Sequence, residues 1–177
     1  LQFCGSVTAA QREVRGGAVG NVVVYLEDMP AVDLAGKPVE VRNVNCAFEP
    51  DVQIAEAGAR LVLTNNDALA HVVRMYRSRL QVGEYPLAHA GSNLTDDFLL
   101  ERPGLINVPC RDHNWMHSNI WVFDHPHYAL TDVDGTFELP FGRLDVSFDR
   151  TTLRIGDREM YGFVPTAELE VKGLGMR

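Results

Sequence analysis

Long apolar segments and helical periodicity are both scarce in this sequence. The longest apolar run is Val22-Val-Val-Tyr-Leu26, which has the length of a strand, whereas a membrane-spanning helix needs about 20 residues. We therefore expect no direct membrane span. Helical signals are confined to residues 94–100, where the Thr95-Asp96-Asp97 opening predicts a helical turn or two.

Positive charge is also in short supply. Sixteen Lys and Arg residues face 24 Asp and Glu residues, which gives a net charge of −8. That sign repels the phosphates of nucleic acids and anionic membrane surfaces, so the sequence argues against nucleic-acid binding. With 177 residues, of which 46% are hydrophobic, the chain has enough apolar material for one packed core.

Cysteine is limited to three residues, Cys4, Cys46 and Cys110. An odd number permits at most one intramolecular disulfide and leaves at least one thiol for other chemistry. Cys46 can pair with Cys4, pair with Cys110, or remain a packed thiol. We predict the pairing with Cys4, because a disulfide there tethers an N-terminal segment that would otherwise fray.

What the sequence does contain is a series of short strand patterns separated by turn residues. The runs at 21–26, 52–54, 61–64 and 120–123 are apolar or alternating, as strands are. Turn signals separate them at 27–30, 35–38, 65–67 and 134–135. Short strands at close spacing predict an all-β sandwich or barrel, with an N-terminal lead-in strand.

We divide the chain into a domain of residues 1–124, which includes the lead-in, and a β-rich C-terminal extension of residues 125–177 that packs on the same body. The alternating pattern around the Asp134-Gly135 turn predicts hairpin strands in this extension.

The densest chemical feature is the segment Cys110-Arg-Asp-His113-Asn-Trp-Met116-His117, with His71 lying 39 residues upstream of Cys110. The Cys-x-x-His-x-x-Met spacing places a thiolate, an imidazole and a thioether in one short loop. Together with His71 they form a set of two His, one Cys and a weak Met, which suits copper that cycles between Cu(I) and Cu(II). The simpler alternative is that Cys110 is a packed, small hydrophobic residue with no ligand.

His117 competes with Met116 for the last position in this set. Adjacent residues on an extended segment point to opposite faces, so only one of the two can face the other ligands. We favour Met116.

Residues 43–124 resemble the cupredoxin family, most closely amicyanin and the plastocyanin-like proteins of methylamine utilisation, and the loop spacing is the basis of that resemblance. It implies a Greek-key β-sandwich in which His71, Cys110, His113 and Met116 bind one copper ion. The sequence departs from the family at Val72, because family members usually carry Asn after the first ligand, and residues 140–177 match no family pattern.

The resemblance also implies a function. The protein is expected to be an extracytoplasmic carrier, periplasmic or secreted, that passes single electrons between redox proteins and is not an enzyme. Any association with a membrane would be through a partner. Two alternatives remain: a copper-handling protein, and a structural subunit of a larger complex whose site is empty or locked by a Cys46–Cys110 disulfide.

Overall fold

The computed structural model describes residues 18–139, together with the strands Val14–Arg15, Val146–Asp149, Thr152–Ile155 and Arg158–Tyr161. The chain separates into two compact units. In the described part, the first comprises Val32–Asp124, and the second comprises the residues before Val32 and after Asp124.

Every regular element of the described residues is a β-strand, which confirms the predicted all-β class. The strands are β1 (Val14–Arg15), β2 (Ala18–Val19), β3 (Val23–Tyr25), β4 (Val39–Val44), β5 (Ala47–Glu49), β6 (Val52–Glu56), β7 (Leu61–Asn65), β8 (His71–Arg77), β9 (Leu80–Leu87), β10 (Asn93–Asp96), β11 (Gly104–Pro109), β12 (His117–Phe123), β13 (Tyr128–Leu130), β14 (Val146–Asp149), β15 (Thr152–Ile155) and β16 (Arg158–Tyr161). Among the described residues, nothing forms a helix that is long and apolar enough to cross a membrane.

The first unit is a sandwich of two sheets. One sheet has the order β10-β7-β4-β5 and the other the order β6-β12-β11-β8-β9. The pairs β4/β7 and β6/β12 are parallel, and the remaining neighbours are antiparallel. Because the chain repeatedly changes sheet between consecutive strands, neighbours in space are often distant in sequence.

Alternation along the strands explains why the two sheets face each other. In β7 every second residue, beginning with Leu61, is buried, which places one row of side chains inward. Inward residues from both sheets, such as Leu63 of β7 and Ile106 of β11, belong to one hydrophobic core. This core ends at the edge where β8 begins and β11 meets β12, and Cys110 and Met116 belong to it there.

A tight two-residue turn joins β4 to β5. Asn45 and Cys46 both have positive φ, 52° and 58°, as the commonest hairpin turn requires. Asn adopts this conformation readily, whereas Cys does so at a cost and needs surrounding contacts to hold it. The backbone N–H of Cys46 donates to a carboxylate oxygen of Asp67 at 3.0 Å, and its side chain is disulfide-bonded.

The described residues of the second unit form three small antiparallel sheets. The strands pair as β1 with β2, as β3 with β13, and as the meander β14-β15-β16. Thr131, which follows β13, joins that strand to the segment between β2 and β3. Its hydroxyl donates to the carbonyl of Val19 and accepts from the N–H of Val22, both at 2.9 Å. The meander gives the C-terminal extension a β structure.

The helical turn predicted for residues 94–100 is wrong. Residues Asn93–Asp96 form β10, which pairs with β7 along its whole length. Asp96 does cap a turn, since its carboxylate accepts from the N–H groups of Phe98 and Leu99 at 2.8 Å, but no helix follows. Pairing with a distant strand overrides the local capping signal.

Two other predictions concern the turn at Asp134-Gly135 and the domain boundary at residue 124. The Asp134-Gly135 pair forms a turn, closed by a hydrogen bond from the N–H of Gly135 to the carbonyl of Asp132 at 2.9 Å. The division at residue 124 stays a prediction, and in the structure β3 pairs with β13 from beyond that point.

Candidate metal centre

Two separate segments of the sandwich supply the candidate ligands. His71 is the first residue of β8, and Cys110, His113 and Met116 lie in the loop that joins β11 to β12. This loop is closed at its base, because the N–H of Cys110 donates to the carbonyl of Met116 at 3.0 Å, and the N–H of Met116 donates to the carbonyl of His113 at 3.0 Å. An isolated bridge between Val73 and Cys110 joins the loop to β8.

Three of the predicted ligands converge on one point. The Nδ1 atoms of His71 and His113 are 3.2 Å apart. The Sγ atom of Cys110 lies 3.9 Å from Nδ1 of His71 and 3.5 Å from Nδ1 of His113. Cys110 is a free thiol.

These separations fit a metal ion. With bonds of about 2.0 Å to nitrogen and about 2.3 Å to sulfur, as zinc makes, a trigonal N,N,S set needs about 3.5 Å between the nitrogens and about 3.7 Å between nitrogen and sulfur. The observed distance between the nitrogens is 3.2 Å. The two distances between nitrogen and sulfur are 3.5 and 3.9 Å, one on each side of the required value. Shifts of a few tenths of an ångström would complete the coordination.

His71 is held as a neutral imidazole in a fixed orientation. It is fully buried, and burial lowers its pKa below the usual 6.5, while the nearby Asp67 carboxylate offsets part of that shift. The Nε2 atom of His71 lies 2.9 Å from a carboxylate oxygen of Asp67. A proton on Nε2 donates to that oxygen and leaves the Nδ1 lone pair directed at Cys110 and His113.

Asp67 owes its position to a buried amide. The side chain of Asn65 accepts a hydrogen bond from the N–H of Asp67 at 2.9 Å, and donates to the carbonyls of Leu69 and Leu87 at 2.8 and 3.2 Å. Asn65 is fully buried at the end of β7. It therefore fixes the short connection that leads from β7 to His71.

Trp115 ties the ligand loop to the β4–β5 turn. Its indole N–H donates to the carbonyl of Cys46 at 3.1 Å, and its ring meets the imidazole of His113 edge-on at a centroid distance of 5.1 Å. The side chain is still 41% exposed. Trp115 thus supports His113 on one side and faces solvent on the other.

The structure separates Met116 from His117. Met116 is buried and belongs to the core, whereas His117 is exposed and its Nδ1 lies 3.0 Å from the carbonyl of Trp115. The alternation expected for an extended segment is therefore present. Ligation by Met116 stays a prediction.

A main-chain hydrogen bond crosses the site at Val72, the position where the resemblance to cupredoxins implies Asn. Val72 is buried in β8 and carries no side-chain donor, but its carbonyl accepts a hydrogen bond from the N–H of Arg111 at 2.8 Å. The residue after Cys110 is thus joined to the residue after His71 without a polar side chain.

Charged side chains surround the mouth of the loop. Arg111 makes a two-point contact with Asp112 at 2.8 and 3.1 Å and lies 4.0 Å from Glu84, which also pairs with Arg74 at 2.8 Å. These pairs are partly exposed, so each contributes little to stability. They do place both signs of charge beside the site.

From the sequence, residues 65–67 are predicted only to form a turn, with no role at the metal centre. The structure adds that Asp67 orients His71, and that Asn65 orients Asp67. The separation of four residues between Asp67 and His71 was the available signal, since a carboxylate close to a metal-binding His commonly orients its ring.

The structure excludes two of the three alternatives for Cys46, the bond to Cys110 and the packed thiol. Cys46 is disulfide-bonded and Cys110 is free, so a Cys46–Cys110 bond is not present. Cys4, the predicted partner of Cys46, lies outside the described residues.

Comparison with known proteins gives likenesses in structure. No model of a known protein family matches this chain, and no curated protein sequence matches it. Amicyanin from Paracoccus versutus is 14% identical with a TM-score of 0.43, covering 57% of this chain and 97% of that one. A purple cupredoxin from Nitrosopumilus maritimus is 19% identical with a TM-score of 0.42, covering 48% and 98%.

A copper-containing nitrite reductase from Thermus scotoductus SA-01 is 21% identical with a TM-score of 0.44, covering 54% of this chain. The match spans only 26% of the length of the reductase. At these identities and TM-scores the likeness by itself assigns neither a family nor a function to this chain. What the site does must be judged from its own side chains.

Proposed function

We propose that this protein binds one copper ion through His71, Cys110, His113 and Met116 and carries single electrons. The observation behind the proposal is the convergence of two imidazole nitrogens and one thiol sulfur within 3.9 Å of one another. A trigonal set of two His and one Cys with a weak Met is typical of copper sites that transfer electrons.

Copper would supply the one-electron redox couple, and the chain would supply a site that changes little between oxidation states. His71 is anchored by Asp67, and the loop is anchored by main-chain bonds at Cys110 and by Trp115. Because these contacts do not involve the metal, the donor atoms keep their places when the charge on the metal changes. A small rearrangement favours fast electron transfer and fits a carrier better than an enzyme.

His113 is the proposed route for electrons. It is only partly buried, whereas His71 is fully buried, so its ring is the imidazole nearest to solvent. The exposed face of Trp115 beside it offers a flat aromatic surface for docking. We assign the redox partner, a single protein or a larger protein complex, to this face.

An extracytoplasmic location is part of the proposal. The disulfide at Cys46 supports it, since structural disulfides persist in oxidising compartments. A free Cys110 removes the disulfide-locked form of the structural-subunit alternative and leaves the thiol available as a ligand.

A visible spectrum with metal analysis tests the proposal. We expect about one copper per chain and an intense thiolate-to-copper absorption in the oxidised protein. Substitution Cys110→Ser should abolish the absorption, while His117→Ala, an exposed neighbour in the same segment, should leave it intact. Full colour and stoichiometric copper in the Cys110→Ser protein would contradict the assignment.

A further inference from the structure

A second group of ligand atoms lies on the other edge of the His71 ring. The sulfur of Cys46, a carboxylate oxygen of Asp67 and a ring nitrogen of His71 all lie within 4.8 Å of one another. Asp67 approaches His71 at Nε2, whereas the candidate copper site uses Nδ1. The two groups therefore share one imidazole, which Asp67 approaches at the nitrogen opposite to the one that faces Cys110 and His113.

This second group is well enclosed. Cys46 is 2% exposed, the side chain of Asp67 is 10% exposed, and His71 is fully buried. A charged carboxylate beside a neutral imidazole in such a place is stabilised by any cation that binds both. In the structure the sulfur of Cys46 is part of a disulfide, and a disulfide sulfur is a poor ligand compared with a thiolate.

We propose that reduction of the Cys46 disulfide creates a second metal site, formed by Cys46, Asp67 and His71, which takes a divalent ion of the zinc class. Thiolate, imidazole and carboxylate are the three ligand types that zinc takes in proteins. This inference goes beyond electron transfer and does not require that the first site bind copper.

The redox step has a simple balance. A dithiol reductant gives two electrons and two protons to the disulfide, so the S–S bond breaks, two protein thiols form, and the reductant becomes a disulfide. The Cys46 thiol then loses its proton when the metal–sulfur bond forms. A water molecule can supply the fourth ligand.

Only small movements are needed. Bonds of about 2.0–2.3 Å arranged as a tetrahedron place neighbouring ligand atoms about 3.3–3.7 Å apart. The three donor atoms already lie within 4.8 Å, and the oxygen and Nε2 are 2.9 Å apart. The hydrogen bond from the Cys46 N–H to Asp67 holds the turn and the carboxylate together during this change.

A metal bound at the second site would prevent His71 from binding a metal at the first site. A neutral imidazole has one N–H and one lone pair. A metal on Nε2 therefore leaves the proton on Nδ1, the atom that faces Cys110 and His113. The two sites then compete for His71, and the disulfide decides whether the second site can form.

The test isolates Cys46 as the sole thiol. In the variant Cys4→Ser/Cys110→Ser the disulfide and the first thiolate are both gone, and the Cys46 thiol is free without added reductant. Cobalt(II), a spectroscopic substitute for zinc, should bind at about one per chain with a thiolate-to-cobalt absorption, and zinc should displace it. The thiol-free control Cys4→Ser/Cys46→Ser/Cys110→Ser should show no such absorption.

Asp67→Asn in the sole-thiol variant gives the geometric control. Loss of a ligand should cost at least as much affinity as loss of an outer-shell partner, about 10–100-fold. A folded sole-thiol protein that binds no cobalt would overturn the proposal, as would cobalt binding that Asp67→Asn leaves unchanged. Should Cys4→Ser prevent folding, Cys110→Ser is reduced with a phosphine, which does not chelate the metal as a dithiol does, and Cys46→Ser/Cys110→Ser treated in the same way should lose the absorption.

Failure of this proposal is distinguishable from failure of the copper assignment. The sole-thiol variant lacks Cys110, so its cobalt absorption reports only on Cys46. The copper assignment is judged on the protein with its disulfide intact.

Discussion

Met116 is the candidate ligand whose effect should be on tuning rather than on binding. It is buried within the loop, and a thioether ligand would contribute weakly to holding copper but strongly to setting its reduction potential. We expect Met116→Leu, which conserves volume, to keep about one copper per chain and to change the potential, as measured by redox titration. His117→Leu at the adjacent exposed position is the matched control, and an unchanged potential in Met116→Leu would contradict the assignment of Met116 as a ligand.

His71 gives the metal-free protein a pH dependence. Burial lowers its pKa below 6.5, so just below pH 6.5 the unfolded chain binds more protons at this residue than the folded chain does. The free energy of unfolding therefore rises with pH through that window and falls as the solution becomes more acidic. Urea unfolding of the metal-free protein at several pH values should show this slope, and His71→Gln should reduce it. An equal slope in His71→Gln would attribute the effect to another group.

At the level of elements, a hydrogen bond joins the edges of the two sheets. Tyr85 of β9 donates its hydroxyl to a carboxylate oxygen of Asp96 in β10 at 2.7 Å, and burial together with this carboxylate raises the pKa of Tyr85. Its ring packs closely on Gly83, where an added Cβ would come within 2.6 Å. The pair closes one side of the sandwich.

Removal of that hydroxyl should be measurable. A hydrogen bond to a charged group contributes about 1.5–3 kcal/mol, and the partly exposed position of Tyr85 reduces the expected cost of Tyr85→Phe to about 1–2 kcal/mol. Chemical denaturation should report this loss, with the visible spectrum of the copper form unchanged, since neither residue belongs to the candidate metal centre. Tyr76→Phe, at a more exposed bond to Gln81, should cost less. Equal costs at the two positions would contradict a special role for the link between sheets.

The connections between strands explain why the site forms where it does. His71 begins β8, and the loop of residues 110–116 follows β11, which pairs with β12 and contacts β8 through Asn107 and Tyr76. Because β8 and β11 are antiparallel neighbours, the start of one lies beside the end of the other. That adjacency brings together ligands that are 39 residues apart in the chain.

At the level of the whole chain, net charge should govern encounters with small redox reagents. A net charge of −8 attracts cations over roughly a Debye length, which is about 10 Å at 0.1 M salt. We expect the rate constant for reaction of the copper form with a cationic metal complex to fall at least a few-fold when the salt concentration is raised from a low value to about 0.1 M. An anionic complex of similar size should show the opposite trend, and parallel trends would indicate that the mixed charges around Arg111 and Asp112 dominate.

The sequence by itself determined several of the strands and the set of side chains that could bind a metal. The apolar runs at residues 61–64 and 120–123 are a local property, so they predicted β7 and β12 without knowledge of their neighbours. The types and spacing of Cys110, His113 and Met116 are local in the same sense, because one loop carries all three.

Only the tertiary structure decided the contacts between distant segments. Residues 93–96 became a strand because β7 offered an edge for pairing, although the Thr95-Asp96-Asp97 opening favours a helical turn. Likewise, no local pattern shows that Asp67 would meet the backbone of Cys46, 21 residues away in the chain. Such contacts depend on how the sheets pack, and their energies arise only when burial removes water from groups far apart in the chain.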